Sequence, residues 1–299
     1  MVKNFLGFLR NSVRNSFKDW ELVLMDGAST DNTLAVARQY AALHPNIRIF
    51  SEPDEGPHDA ILKALHEARG EYVLVLCAGD GYLTDRWFEM CMGVFSNDPE
   101  VSLVWGIPFD MTEEGKLLGP HFAYANFLDA AAGGNAPFLK ELLKRLFSPS
   151  SFSRLIKRLN PQTMRAARGI FKKREVPQKQ EWFWYWLDTG VQFPDGNTCI
   201  SRRLFEKFVA PHKPGAWESG EWTDFYFNFN AQGYLAYGFP VPANFARMTP
   251  GRTSERVVSF ADANQKAFFK KLAEFRKEMK AHPEKMVFRA RSGEPIAVK

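Results

Sequence analysis

Cysteine is scarce in this chain, with three among 299 residues. Cys77, Cys91 and Cys199 have neither the density of a disulfide framework nor the paired spacing of a zinc site. A reducing compartment fits that usage, and all three read as small buried hydrophobes. Long apolar runs are missing too. No stretch approaches the ~18 apolar residues that a membrane span needs, and the opening MVKNFLGFLRNSVRNSF lacks the continuous apolar core of a signal peptide. Neither internal repeats nor low-complexity tracts occur. These absences argue against a secreted disulfide scaffold and an integral membrane protein, and the expectation is a soluble or peripheral one. Hydrophobic residues at 45% and charged residues at 24% are those of an ordinary globular protein. The length allows a sizeable core in one large or two small domains.

Charge is present in excess in one place. The net charge is +5, yet residues 138 to 174 hold eleven Lys/Arg against the single acid Glu141, so this segment carries +10 and the remainder −5. FLKELLKRLF, SFSRLIKRL and PQTMRAARGIFKKR each repeat apolar residues at helical spacing against Lys and Arg, separated by Ser148-Pro149-Ser150 and Asn160-Pro161. EWFWYWL follows, with five aromatics in seven residues. Basic amphipathic helices beside aromatics suit a membrane interface, where cations meet lipid phosphates and rings sit at headgroup level. The alternative is an insertion packed on the core with solvated Lys and Arg. Nucleic acid is not expected as a partner.

The first hundred residues alternate between strand and helix patterns. ELVLM, NIRIF, EYVLVLCA and VSLVWG read as strands, while TLAVARQYAAL, DAILKALHEARG and TDRWFEMCMGVF read as helices, the last with Thr84 as N-cap. That order predicts an α/β fold, a mostly parallel Rossmann-like sheet with helices on both faces. NTCISRRLFEKF and the strand-like LAYGF return to a globular pattern, and Ser259 to Met279 reads as a terminal amphipathic helix bounded by Pro283.

Two carboxylates stand at the ends of the best strands, Asp26 after ELVLM and Asp80 after EYVLVLCA. In a doubly wound sheet those ends share one edge, so both can face a single crevice. Carboxylates there can accept hydrogen bonds from base N–H and ribose hydroxyls, and can hold the hard cation that neutralises a diphosphate. Asp31, and Thr30 beside it, read equally as caps of the following helix. Asp54, Glu55 and Gly56 form a turn, which by itself explains two acids. His58 and the pair Arg202 and Arg203 could touch a ligand, or be structural or solvated.

DGASTDNT, SEPDEGPHDAILKAL, a Gly-Glu-Tyr strand and AGDGYL together resemble the nucleotide-sugar half of the family 2 glycosyltransferases with the GT-A fold. The likeness is close over roughly residues 5–110 and looser over 196–250. It implies inverting transfer of a sugar from a nucleotide-diphosphate donor to an acceptor hydroxyl, with Mg²⁺ or Mn²⁺. By this resemblance Asp26 binds the donor's base, Asp54 lines the same pocket with Ala28 and Lys63, and Asp80 meets ribose or the metal-bound diphosphate. It also places a general base in an acidic cluster before a helix of the acceptor half. ESGEWTDFYFNFNAQG fits, with Glu221 as the expected base and Asp224 as the alternative, in a helix opened by Thr223 or Asp224 and ended by Gly233. Acids at a helix start are also stabilised by the dipole without any catalytic role.

Two departures from the family pattern stand out. The family's sheet begins with a strand and a Thr-Pro-x-x-Asn-like turn upstream of the helix that FLGFLRNSVRNSF resembles, and neither is in this sequence. Either the start is assigned too late or the strand is absent, and its absence would expose its neighbours' edges. The metal motif normally holds two acids, but Cys77-Ala78-Gly79-Asp80 keeps one. One carboxylate can serve Mg²⁺, which retains waters and takes substrate phosphates, with weaker affinity.

The expected organisation is a nucleotide-sugar half over 1–110, a helical basic insertion over 111–195, an acceptor half over 196–255 and a C-terminal helix and tail over 256–299. The expected role is sugar transfer to a glycan or lipid-linked acceptor in cell-surface polysaccharide or glycoconjugate synthesis. Residues 138–174 would contact anionic lipid at the cytoplasmic face of the plasma membrane. The alternative is a catalytically impaired relative acting as a nucleotide- or membrane-binding subunit.

Overall fold

The computed structural model describes residues 14–121, 124, 127, 175–194, 196–209, 221–248 and 258–297, with the side chains of residues 221–223, 248 and 258–265 outside the description. The basic segment 138–174 therefore lies outside the described residues, as do Glu218 and the side chain of Glu221.

The alternating pattern at the start folds as its periodicity predicts. Strands β1 (Leu22–Asp26) and β2 (Ile47–Ser51) pair in parallel, Leu22 opposite Ile47 and Asp26 opposite Ser51. Helix α1 (Thr33–Leu43) joins them and turns Ala37 toward Leu24 in a small apolar cluster. Helix α2 (Pro57–Glu67) has Pro57 in its first turn, where a missing N–H costs nothing, and it begins two residues before the DAILKAL pattern.

EYVLVLCA is the first correction. The pattern predicts one long buried strand, but only Tyr72–Val73 (β3) joins a ladder, and Leu74–Leu76 continue outside any strand and are only half-buried. Strand β3 ends the larger sheet and β1 belongs to the smaller one, so among the described residues the two sheets share no ladder. The Leu76 side chain bridges instead, packing against both the Leu24 cluster and the one around Trp87 and Cys91.

The larger sheet runs β3, β7 (Cys199–Ser201), β5 (Val101–Thr112), β8 (Leu235–Met248), β4 (Gly81–Tyr82), with β6 (Leu117–Pro120) also on β5. The α/β fold class holds, but this sheet is mixed rather than mostly parallel. Strands β5 and β8 are parallel, whereas β3–β7, β5–β7, β4–β8 and β5–β6 are antiparallel. Strand β5 is buried from Val101 to Phe109, as a strand covered on both faces must be. Val101 and Val104 face α3 (Trp87–Asn97), while Leu103, Trp105 and Ile107 face the core shared with α4 (Gln180–Thr189), α5 (Arg202–Val209) and α6 (Glu221–Ala231). Helix α7 (Val258–Ala281), the expected terminal helix, packs on that second side and leads to the hairpin β9 (Phe288–Arg289) and β10 (Pro295–Ile296).

The aromatic run EWFWYWL is the second correction, because it is core rather than membrane interface. In α4, Trp182, Phe183, Trp186 and Leu187 are buried. Trp182 stacks on Phe193 at 4.9 Å, tilts onto Trp105 at the same separation and donates its indole N–H to Asn230 Oδ1 at 3.1 Å. Rings in such contact add about 0.5–1.5 kcal/mol per pair beyond their buried area. The cysteines divide: Cys91 and Cys199 are buried as expected, and Cys77 is exposed.

Where β5 and β8 slip register, the three residues of β5 from Trp105 to Ile107 oppose a longer β8 span from Gly238 to Pro242. Pro240, without an N–H, sits in that bulge, where no ladder bond is lost. Buried Asn197 repairs the gap. Its Oδ1 accepts from the Gly106 N–H at 3.2 Å, and its Nδ2 donates to the Gly106 carbonyl at 3.0 Å and to Asn244 Oδ1 at 2.6 Å. Leaving a buried peptide group unpaired costs about 1–3 kcal/mol, so this side chain substitutes for a strand partner.

Candidate functional site

Asp26 closes β1, and the chain turns at once. Ala28 adopts the left-handed conformation at φ 59°, uncommon for a residue with a Cβ. That turn brings the Ser29 N–H back to Asp26 Oδ2 at 2.9 Å, and Ser51, opposite Asp26 on β2, donates its hydroxyl to the same oxygen at 2.8 Å. The carboxylate is buried, 6% exposed. Burial opposes its charge, but the hydrogen bonds from Ser29 and Ser51 outweigh burial and hold its pKa below the ordinary 3.8.

Asp54 joins Asp26 through Gly27. A Cβ placed on Gly27 would lie 2.4 Å from Asp54 Oδ2, so glycine is what lets this carboxylate rest on the backbone beside Asp26. Asp54 Oδ1 also accepts the Gly56 N–H at 3.0 Å, fixing the turn that presents it. Lys63 braces the same turn from α2: its ammonium donates to the Pro53 carbonyl at 2.8 Å and pairs with Glu52 and Asp59 at 3.0 Å each. Asp59 in turn accepts the Glu55 N–H at 3.0 Å, and Lys63 together with that bond lowers its pKa. His58 is buried in the first turn of α2. Asp31 takes the capping role, accepting the Thr33 N–H at 2.9 Å while exposed to solvent.

Asp80 has a different set of partners. Its Oδ1 accepts the Arg247 N–H at 3.0 Å, one residue before the end of β8. The Arg247 guanidinium then ties the Gly79 carbonyl at 3.2 Å and the Glu113 carbonyl at 2.9 Å, anchoring the AGDGYL turn to the β5–β6 hairpin. Arg247 escaped the sequence reading because ANFARM shows no recognisable pattern. Ser51 escaped it as well, although its place at the end of NIRIF, opposite the strand that ends in Asp26, was the available signal. Among the described residues no group of three or more His, Cys, Asp or Glu side chains comes together to enclose a metal. Asp80 as a lone carboxylate fits Mg²⁺ or Mn²⁺ only when phosphates and waters supply the other ligands.

In the half expected to bind the acceptor, α6 starts at Glu221, earlier than Thr223, and is followed by Gly233 at φ 77°. Asp224 is about half-exposed and pairs with Lys271 of α7 at 3.4 Å. Arg202 pairs with Glu206 at 2.7 Å and also donates to the Ala68 carbonyl, while Arg203 donates to the Arg291 carbonyl, so both brace the fold.

Residues 3–153 match the sequence model of glycosyl transferase family 2. Chondroitin synthase of Escherichia coli is 27% identical over 110 residues, 37% of this chain and 16% of that protein. A PGL/p-HBAD biosynthesis glycosyltransferase of Mycobacterium tuberculosis is 34% identical over 100 residues, 33% of this chain and 39% of that protein. The chain thus spans well under half the length of either curated relative. A mannosyltransferase from Pyrobaculum calidifontis, solved with GDP-Man and Mn²⁺, superposes with a TM-score of 0.52 at 16% identity over 92% of this chain and 61% of its own. At that identity the likeness shows the fold, GT-A, alone.

The two hydroxyl and amide bonds on Asp26 make a measurable claim. Ser51→Ala removes one donor, so an NMR titration of the Asp26 carboxyl should show its midpoint rising toward 3.8. The folded pKa lies below the unfolded one, so the linked stability is full above the unfolded value and fades as pH falls through the folded value. The wild-type advantage over Ser51→Ala should accordingly shrink on acidification, and an unmoved midpoint would contradict the assignment.

Proposed function

The chain belongs to glycosyl transferase family 2, and from that membership we propose that it moves a sugar, with inversion, from a nucleotide-diphosphate donor to a hydroxyl of a glycan or lipid-linked acceptor. The observation that carries the reading is the Asp26–Gly27–Asp54 arrangement at the end of β1. Asp26 accepts hydrogen bonds from Ser29 and Ser51, and a carboxylate, with about four lone-pair sites, can accept a further one from a base N–H. Asp54 lines the same pocket beside Ala28, and Lys63 holds the turn that presents it. Asp80 would hold Mg²⁺ or Mn²⁺, which supplies charge neutralisation for the diphosphate. Glu221 or Asp224 would take the acceptor's proton, Asp224 after giving up Lys271. That the Pyrobaculum calidifontis neighbour was solved with GDP-Man and Mn²⁺ supports the class of donor and metal. The curated relatives support a place in polysaccharide or glycoconjugate synthesis.

The net charge of +10 on residues 138–174 supports a peripheral site on anionic lipid, and from it we infer a position at the cytoplasmic face of the plasma membrane. A second reading, a nucleotide-binding subunit without transferase activity, draws on the lone metal-motif carboxylate and the separation of the two sheets.

Turnover of a panel of UDP- and GDP-sugars with divalent metal separates the readings. Transfer or slow hydrolysis is expected, with Asp80→Ala lowering kcat by about 10²-fold or more, in the range seen for loss of an electrostatic stabiliser. Unchanged turnover in Asp80→Ala would refute the metal assignment, and nucleotide binding with no turnover of any donor would favour the subunit. For the membrane, the wild-type chain should co-sediment with vesicles containing phosphatidylserine, and replacing the eleven Lys/Arg of residues 138–174 with Gln should abolish this. Equal sedimentation of the two would sink the lipid proposal.

A further inference from the structure

A cavity of about 520 Å³ opens far from the carboxylates. It lies at the start of β8, beside Tyr234, whereas Asp80 is bonded to Arg247 near that strand's end. At ~3.3 Å per residue the strand from Leu235 to Arg247 spans at most roughly 40 Å. Phe275 and Met279 of α7, with Met286, give the cavity an apolar lining, and Lys207, Lys285 and Arg289 give it cations.

The cations differ in how they are neutralised. Lys285 is paired with Glu278 at 3.2 Å. Among the described residues neither Lys207 nor Arg289 has an ion pair, and both are held by neutral acceptors. Lys207 Nζ donates to Gln232 Oε1 at 2.6 Å and lies 5.2 Å from the Tyr234 ring centroid. Arg289 Nη1 donates to the Gly293 carbonyl at 3.1 Å. A third cation stands at the edge: a Cβ on Gly293 would be 3.7 Å from both terminal nitrogens of Arg203 and 3.6 Å from the Tyr234 hydroxyl. Cations held by neutral groups beside apolar walls feel little competing negative charge, and an anion placed there is screened less than in water. Methionine walls adapt to varied apolar shapes, and the volume suits a small organic ligand.

We propose that this cavity binds an organic anion, its phosphate or carboxylate against Lys207 and Arg289 and its apolar body over Phe275, Met279 and Met286. Calorimetric titration of the full chain with phenyl phosphate, benzoate and neutral benzyl alcohol tests it. Saturable one-site binding of at least one anion is expected, with no binding of benzyl alcohol at the same concentrations. Tighter phenyl phosphate identifies a phosphate site, and tighter benzoate a carboxylate site. Lys207→Gln and Arg289→Gln should each weaken binding about tenfold, the scale of one charge-assisted hydrogen bond. Lys207→Arg and Asp80→Ala should retain it. If Arg289→Gln loses its folded circular dichroism, Lys207→Gln decides alone. Absence of saturation by both anions, or wild-type affinity in Lys207→Gln, would overturn the proposal.

Discussion

The end of β1 depends on one buried carboxylate oxygen. Asp26 Oδ2 gathers the Ser29 amide and the Ser51 hydroxyl, so a single atom fixes the end of β1, the turn after it and the end of β2. Burial alone would push this acid toward its neutral form, and the hydrogen bonds from Ser29 and Ser51 reverse the balance. The left-handed Ala28 is held in place by the same bond. Because that turn is fixed, Gly27 presents a bare Cα against which Asp54 can lie, and two acids from distant stretches of sequence share one place.

The rest of the described fold is organised around the larger sheet. Strand β5 is the spine: α3 covers one face, and α4, α5 and α6 share the core on the other. Its parallel partner β8 carries Arg247, whose amide holds Asp80 and whose guanidinium ties the neighbouring turn and hairpin. The bulge that lets β8 pass Pro240 leaves Gly106 without a strand partner, and Asn197 fills that place. Between the two sheets, where no ladder runs among the described residues, Leu76 makes the join by apolar contact. Hydrogen bonds add to that contact, since Glu21, just before β1, accepts the Gly70 N–H, two residues before β3, at 3.1 Å.

Much of this was legible where local signals and tertiary context agree. TLAVARQYAAL is α1 to the residue, and NIRIF followed by Ser51 gives β2 nearly as closely. The cap role of Asp31 followed from turn chemistry, and the meeting of Asp26 with Asp54 from the family resemblance. The misses have physical causes. EYVLVLCA has every strand propensity, yet a ladder needs a partner, which propensity does not register. EWFWYWL read as an interface because aromatic content says nothing about which surface buries it, and here Trp105 and Phe193 do. Strand β8 runs on well past the strand-like LAYGF, because a bulge absorbs Pro240. Arg247 works through its backbone amide, which any residue but proline carries, so no side-chain pattern could announce it.

In the function proposed above, Asp26 and Asp54 form one nucleotide-binding place only because Gly27 lies between them. Calorimetry of UDP and GDP binding to the wild-type chain and to Gly27→Ala tests it most directly, since the added methyl displaces the Asp54 carboxylate while leaving every titratable group in the chain. The account predicts measurable binding of at least one nucleotide to the wild type and a loss of about tenfold or more in Gly27→Ala, equal to about 1.4 kcal/mol. Equal affinity in a folded Gly27→Ala, or no nucleotide binding to the wild type, would contradict it.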